Sequence, residues 1–328
     1  MVSNYSLALR AERSERQRTK SKRWWQSNLS LLMSVFLFGC SSASASPTPA
    51  PIAEATLTPQ PSPTSIPDYV NKIRNTQYQL GATDALRVVQ LTDGKYKQGT
   101  VGGADYVSVN VTDFAATGDL NNDGINEYAM LVAENYGGSG VFVFLAVYSE
   151  ANGVFTFQTS TMVDDRPMLN ALSIDNGEIF LDATIHAAQD PFCCPTLRMN
   201  RHYRFVIDNQ LEMTDYTTFT PAGKPRTITI ETPLDGTETY SSIQFRGSVA
   251  VAPFENNLAY RIYDLVGVEL SAGSINVTAA DPGGPGTFDS IISLGTILSG
   301  SVVRVEVQDI NAADGSLFAM DSVELVVK

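Results

Sequence analysis

The strongest constraint on what this chain can fold into is the recurrence of short apolar runs, each closed by residues that favour a tight turn. Between residues 86 and 207 the runs are Leu86–Leu91, Tyr106–Val111, Tyr128–Ala133, Val141–Ser149, Val154–Val163, Ala171–Ile174, Ile179–His186 and Arg201–Ile207. Asp93-Gly94, Asn152-Gly153 and Asn176-Gly177 lie between them. Such pairs tolerate positive φ at both central positions of a type I′ turn and so join antiparallel strands. Helical periodicity shows only around Tyr69–Gln77. Residues 68–216 therefore predict a mainly β, antiparallel domain.

A second strand-rich region follows from residue 226 to 328. In Leu258–Tyr263 the alternation places Leu258, Tyr260 and Ile262 on one face and Ala259, Arg261 and Tyr263 on the other. Val303, Val305 and Val307 alternate with Arg304 and Glu306 in the same way. About seven short strands with Gly, Asp and Pro turns predict a small β-sandwich. This region has no cysteine pair, so packing alone must hold it. Phe254 and Glu255 could form a binding edge, but Phe254 reads first as a core residue. Residues 217–225, a Pro/Gly/Lys segment, read as a linker between the two regions.

The second region also resembles a known family. Ile228-Thr-Ile230-Glu-Thr-Pro233, Ile243-Gln-Phe245-Arg-Gly247-Ser-Val249-Ala250 and Pro253-Phe254-Glu255-Asn256-Asn257-Leu258 carry the likeness, followed by Gly267, Thr287-Phe288, Asp314-Gly315-Ser316 and Val323–Val327. They resemble the bacterial spore-germination immunoglobulin-like domain family over about 100 residues. The resemblance implies an immunoglobulin-like β-sandwich and a non-catalytic, extracytoplasmic adhesion or scaffold module.

The first 67 residues are of a different kind. Arg10, Arg13, Arg16, Arg18, Lys20, Lys22 and Arg23 precede an apolar run from Leu29 to Phe38. That run is short of the roughly 20 residues that span a bilayer but suits a secretory signal. Leu37-Phe38-Gly39-Cys40 resembles the lipobox of lipoprotein signal peptides, although Phe38 is larger than that position usually holds. The resemblance implies cleavage after residue 39, lipidation of Cys40 and a membrane anchor on the extracytoplasmic face of the cell envelope. Residues 40–67 carry seven of the 16 prolines and ten Ser or Thr, a composition too polar to fold on its own. They read as a tether of at most roughly 80 Å at about 3.1 Å per residue.

Charge excludes one class of partner. Residues 1–39 hold seven basic and two acidic residues, which leaves 15 basic and 33 acidic residues beyond them. A surface so acidic repels nucleic acid and favours cations and basic partners.

Two segments carry residue types that do chemistry. In Asp119-Leu-Asn121-Asn-Asp123-Gly124-Ile125-Asn-Glu127, side-chain oxygens fall at loop positions one, three, five and nine, with glycine at six. This is calcium-loop spacing, with the backbone carbonyl of Ile125 at position seven. Met130 stands at position twelve, where an EF-hand has glutamate. The loop is closer to those of FG-GAP-type propeller repeats, but only one copy exists. A Ca2+ site and a metal-free Asx-rich turn both remain open.

Cys193-Cys194 lies in His186-Ala-Ala-Gln-Asp190-Pro-Phe-Cys193-Cys194-Pro195. A vicinal disulfide shaping one turn and a pair of buried thiols are the leading readings; neither staples distant strands. A zinc or copper site with His186 and His202 lacks CxxC spacing, and a Cys–His nucleophile lacks a third orienting group. Gly137-Gly138-Ser139-Gly140 has no following Lys and reads as a turn, and Asp164-Asp165-Arg166 as a solvated turn with a local ion pair. The middle region also resembles β domains of bacterial envelope lipoproteins that carry such a loop and a Cys-Cys-Pro segment.

Together these features predict a lipid-anchored binding or scaffold protein with envelope polymers or envelope proteins as partners. The competing expectations are an envelope hydrolase or metal-dependent enzyme using the Asp119–Glu127 loop with His186 and Asp190, and a thiol or metal sensor built on Cys193-Cys194.

Overall fold

The computed structural model describes residues 67–82, 87–206, 210–295 and 297–328. The signal segment, Cys40 and all of the tether except Pro67 lie outside them. Strands take up 61% of the described residues and helix 2%, so the expected mainly β, sandwich-like fold is what forms.

The described residues open with a helical turn and a half, α1 (Asp68–Ile73), which buries Val70 and Ile73. The expected helix to Gln77 stops short because Gln77 already begins a strand that buries Tyr78. Strands β1 (Gln77–Gln79) and β2 (Val88–Gln90) pair with each other beside it. Next come β3 (Lys95–Gln98), β4 (Val107–Gly118), β5 (Glu127–Asn135), β6 (Phe142–Ala151) and β7 (Val154–Asp165), an antiparallel meander of five strands. The three predicted turn pairs all have positive φ at both residues (Asp93 49°, Asn152 52°, Asn176 52°).

Both faces of the meander are covered, which explains the near-continuous apolar runs in its central strands. Ala129, Leu131, Leu145 and Val147 face one core; Met130, Val132, Ala146 and Tyr148 face another, closed by α1, β1 and β2. Glu134 ties this second layer down. Its carboxylate accepts hydrogen bonds from Tyr78 Oη (2.6 Å), Tyr136 Oη (2.5 Å), Gly81 N (2.8 Å) and Ala82 N (3.2 Å).

The remaining strands form one continuous sheet. They are β8 (Met168–Asp175), β9 (Glu178–Ile185), β10 (Leu197–Val206), β11 (Gln210–Phe219), β12 (Pro225–Arg226), β13 (Ile228–Thr232), β14 (Thr237–Thr239), β15 (Ser242–Val249), β16 (Asn257–Tyr263), β17 (Glu269–Ala279), β18 (Gly286–Ser293), β19 (Val302–Ile310) and β20 (Leu317–Val327). Strands β8 to β11 cover the first face of the meander. Strand β17 pairs with β16 through residues 269–276 and with β18 through 277–279, turning from one layer to the other. Between those layers lies a core that includes Phe245, Leu258, Ile262, Val303, Val305 and Val307, as the alternation predicted.

The segment read as a linker is itself structured. Thr217–Phe219 complete β11, and Thr220 N accepts a place in a tight turn by donating to Lys224 O (2.8 Å) before β12 pairs back on β11. More consequentially, β11 pairs with the last strand, β20, through Asp215↔Asp321, Tyr216↔Met320 and Thr217↔Ala319. Met320 is 1% exposed and belongs to the core of the preceding region. Phe254 corrects another expectation: it is 96% exposed. It sits in a turn closed by Asn256 N donating to Pro253 O (3.0 Å), with Asn256 at φ 52°, and the turn points it outward.

Replacing Glu134 by alanine removes one acceptor from four donors, and an unmet buried donor costs about 1–3 kcal/mol. Urea unfolding of Glu134→Ala should show a loss of about 3 kcal/mol, and a loss below about 1 kcal/mol would contradict this role for Glu134.

Candidate functional site

The Asp119–Glu127 loop joins β4 to β5, and Gly118 and Glu127 face each other across its base. Its oxygens turn toward its own backbone. Asp119 accepts from Asp123 N (3.2 Å) and Gly124 N (2.8 Å), and Asn121 Oδ1 accepts from Asp123 N (3.0 Å). Asp123 Oδ1 accepts from Ile125 N (2.7 Å), and Glu127 from Leu120 N (2.8 Å) and Asn121 Nδ2 (3.2 Å). Gly124 has φ 85°, the backbone that glycine at position six permits. Burial raises the Glu127 pKa above the usual carboxylate value, and Asp123 and Asp119 push it the same way against the Leu120 N–H bond. Among the described residues, no three His, Cys, Asp or Glu side chains are gathered as a metal would need.

In the loop from β9 to β10, Cys193 and Cys194 are joined in a disulfide, which leaves neither sulfur as a thiolate. Both are exposed, as is Phe192 at 82%. Asp190 clamps the loop by accepting from Ala187 N (2.8 Å), Thr196 N (2.7 Å) and Thr196 Oγ1 (2.9 Å). These bonds, led by that from Ala187, lower its pKa.

His186 pairs with a carboxylate from outside its own loop. Asp164 Oδ2 accepts from His186 N (2.6 Å) and lies 2.9 Å from His186 Nδ1. Asp165 instead pairs with Arg166 (2.7 Å), so the expected local ion pair is there, but both aspartates are only about one-fifth exposed rather than solvated. His202 lies elsewhere, 3.4 Å from Glu178 and edge-on to Phe180. The fold thus brings His186 to Asp164 and places His202 beside Glu178 instead.

Sequence reasoning missed a cavity of about 640 Å3 where β7, β10 and β11 meet the turn between β19 and β20. Its polar centre is Arg201. The guanidinium donates through Nη1 to Val163 O (3.2 Å) and Tyr203 Oη (3.4 Å), and it stands over the Tyr216 ring at 5.3 Å. Its Nε is shut off from solvent with no hydrogen-bond partner. A signal existed: Leu197, Met199, Tyr203 and Phe205 share the inward face of β10, and Arg201 falls in the same alternation.

No protein-family model matches the chain, and no curated protein is significantly similar to it.

The Asp164 contact raises the His186 pKa above its ordinary 6.5, against a smaller opposing effect of burial. A pKa raised on folding contributes stability that is full below about pH 6.5 and is lost as pH rises through the folded-state value. With only two histidines in the chain, NMR can follow each. His186 should titrate above 6.5 and fall in Asp164→Asn; a wild-type midpoint at or below 6.5 would contradict the pairing.

Proposed function

We propose that this chain is a lipid-anchored, extracytoplasmic protein of the cell envelope that acts by non-catalytic binding or scaffolding. The observation that carries the reading is the continuity of β11 with β20, which joins two β regions in a single sheet suited to display. Of the groups that an enzyme of the middle region would need, Asp190 is engaged in holding backbone, accepting from Ala187 N and Thr196 N, while His186 is paired through Nδ1 with Asp164. The Cys193–Cys194 disulfide suits an oxidising compartment. The lipobox-like Leu37-Phe38-Gly39-Cys40 and the Pro-rich tether support attachment to a membrane. The likeness of residues 226–328 to the spore-germination immunoglobulin-like family supports a scaffold role, with envelope polymers or proteins as partners.

Metabolic labelling with a palmitate analogue should mark the chain, and Cys40→Ala should abolish the mark. Absence of Cys40-dependent label would remove the anchored reading, and turnover across an esterase, peptidase and phosphatase panel would remove the non-catalytic one.

Calcium fits the same envelope setting as a second reading. Each carboxylate in the Asp119–Glu127 loop accepts one or two hydrogen bonds and keeps lone pairs for a hard cation. Millimolar calcium should raise the melting temperature of the full chain, and Asp119→Asn combined with Asp123→Asn should cancel the rise. An unchanged wild-type melting temperature would contradict calcium binding.

A further inference from the structure

The seam cavity poses a problem of charge. Arginine stays protonated in proteins, and taking its charge out of water costs several kcal/mol unless a partner compensates. The other seam arginines have such partners. Arg204 meets Glu212 (2.7 Å) and Glu324 (2.6 Å), Arg304 meets Glu212 (2.9 Å) and Glu306 (3.0 Å), and Arg226 meets Asp309 (3.6 Å). Among the described residues, none of the carboxylates forms an ion pair with Arg201; its neighbours are a carbonyl and two tyrosines.

The surroundings define what could supply the missing charge. Leu211, Met213, Leu317 and Phe318 make much of the cavity wall apolar, and a volume of about 640 Å3 is that of a small-molecule site. Besides Arg201 and the tyrosines, His186 and Asp314 are the titratable groups that line it. His186 pairs through Nδ1 with Asp164 (2.9 Å) and keeps Nε2 buried without a hydrogen-bond partner, and Asp314 at the mouth accepts from Ser316 N (2.9 Å) and Ser316 Oγ (2.7 Å). A carboxylate at the mouth and an acidic protein overall disfavour a polyanion, while one charge on an apolar body gains from both Arg201 and the walls.

We infer that this cavity binds a small organic monocarboxylate with an aromatic or branched apolar body, its carboxylate seated against the Arg201 guanidinium beside Tyr203 and Tyr216. The site uses both β regions at once, since β10 and β11 supply the arginine and tyrosines and the turn before β20 supplies the closing wall. Its existence is independent of the lipid anchor and of the scaffold role.

The test is calorimetric titration of the purified full chain, with titration into buffer alone as the blank. The probes are 2-naphthylacetate and its neutral isostere 2-naphthylacetamide. The acid should bind at least tenfold more tightly than the amide, about 1.4 kcal/mol, and Arg201→Gln should erase that difference. No heat above the blank, equal affinity for acid and amide, or undiminished affinity in Arg201→Gln would each overturn the proposal. Should Arg201→Gln not fold, wild-type protein with 13C-methyl methionine decides the matter by NMR. Contacts from the naphthyl protons to Met162 or Met213 support the site, and contacts confined to other methionines overturn it.

Discussion

The pairing of β11 with β20 is the constraint on which the rest of the molecule depends. Only three residue pairs form the ladder, but side chains reinforce it on both sides. Thr218 Oγ1 donates to Phe318 O (2.7 Å), Ser322 Oγ donates to Thr214 O (3.0 Å), and Arg304 Nη1 donates to Met213 O (3.3 Å). Asp321 accepts from Ile230 N (2.9 Å) and so fixes β13 against the same strand. Met320 enters the neighbouring core, where full burial of such a side chain contributes about 1.5–3 kcal/mol. The last strand of the chain is thus a structural member of both regions.

The seam also sorts the charges. On one side of the large sheet, Arg204 and Arg304 share Glu212, and Arg204 reaches across to Glu324. On the other, Arg201 projects toward the meander with Tyr216 beneath it and, among the described residues, no acid in an ion pair with it. Breaking a buried pair by removing one partner is far costlier than never having built it. The paired arginines therefore account for cohesion, and the unpaired one for the polar character of the cavity. Arg201 and Arg204 lie three residues apart on β10, and alternation sends them to opposite faces of the sheet.

Much of the strand plan was legible because period-two alternation and Asx-Gly turns are local signals. The face assignment of Leu258, Tyr260 and Ile262 follows from alternation alone, and so does that of Val303, Val305 and Val307. β11 was hidden for a physical reason. A bulge leaves Thr214 as an extra residue, so the inward register passes from Leu211 and Met213 to Tyr216 and the alternation breaks. Without β11 its pairing with β20 could not be foreseen, nor could the cavity that β11 lines. The Asp119–Glu127 loop was legible as a loop, because glycine at position six marks its turn. Which way its oxygens face was not, since the same spacing serves a cation or the backbone. Asp164 as the partner of His186 required a contact between residues 22 apart in sequence, which no local pattern encodes.

Scanning calorimetry of the full chain addresses the central claim most directly. If β20 belongs to both regions, they unfold together: one endotherm, with calorimetric and van't Hoff enthalpies in agreement. Two separate endotherms, one for each β region, would contradict the shared strand as the element on which the fold depends.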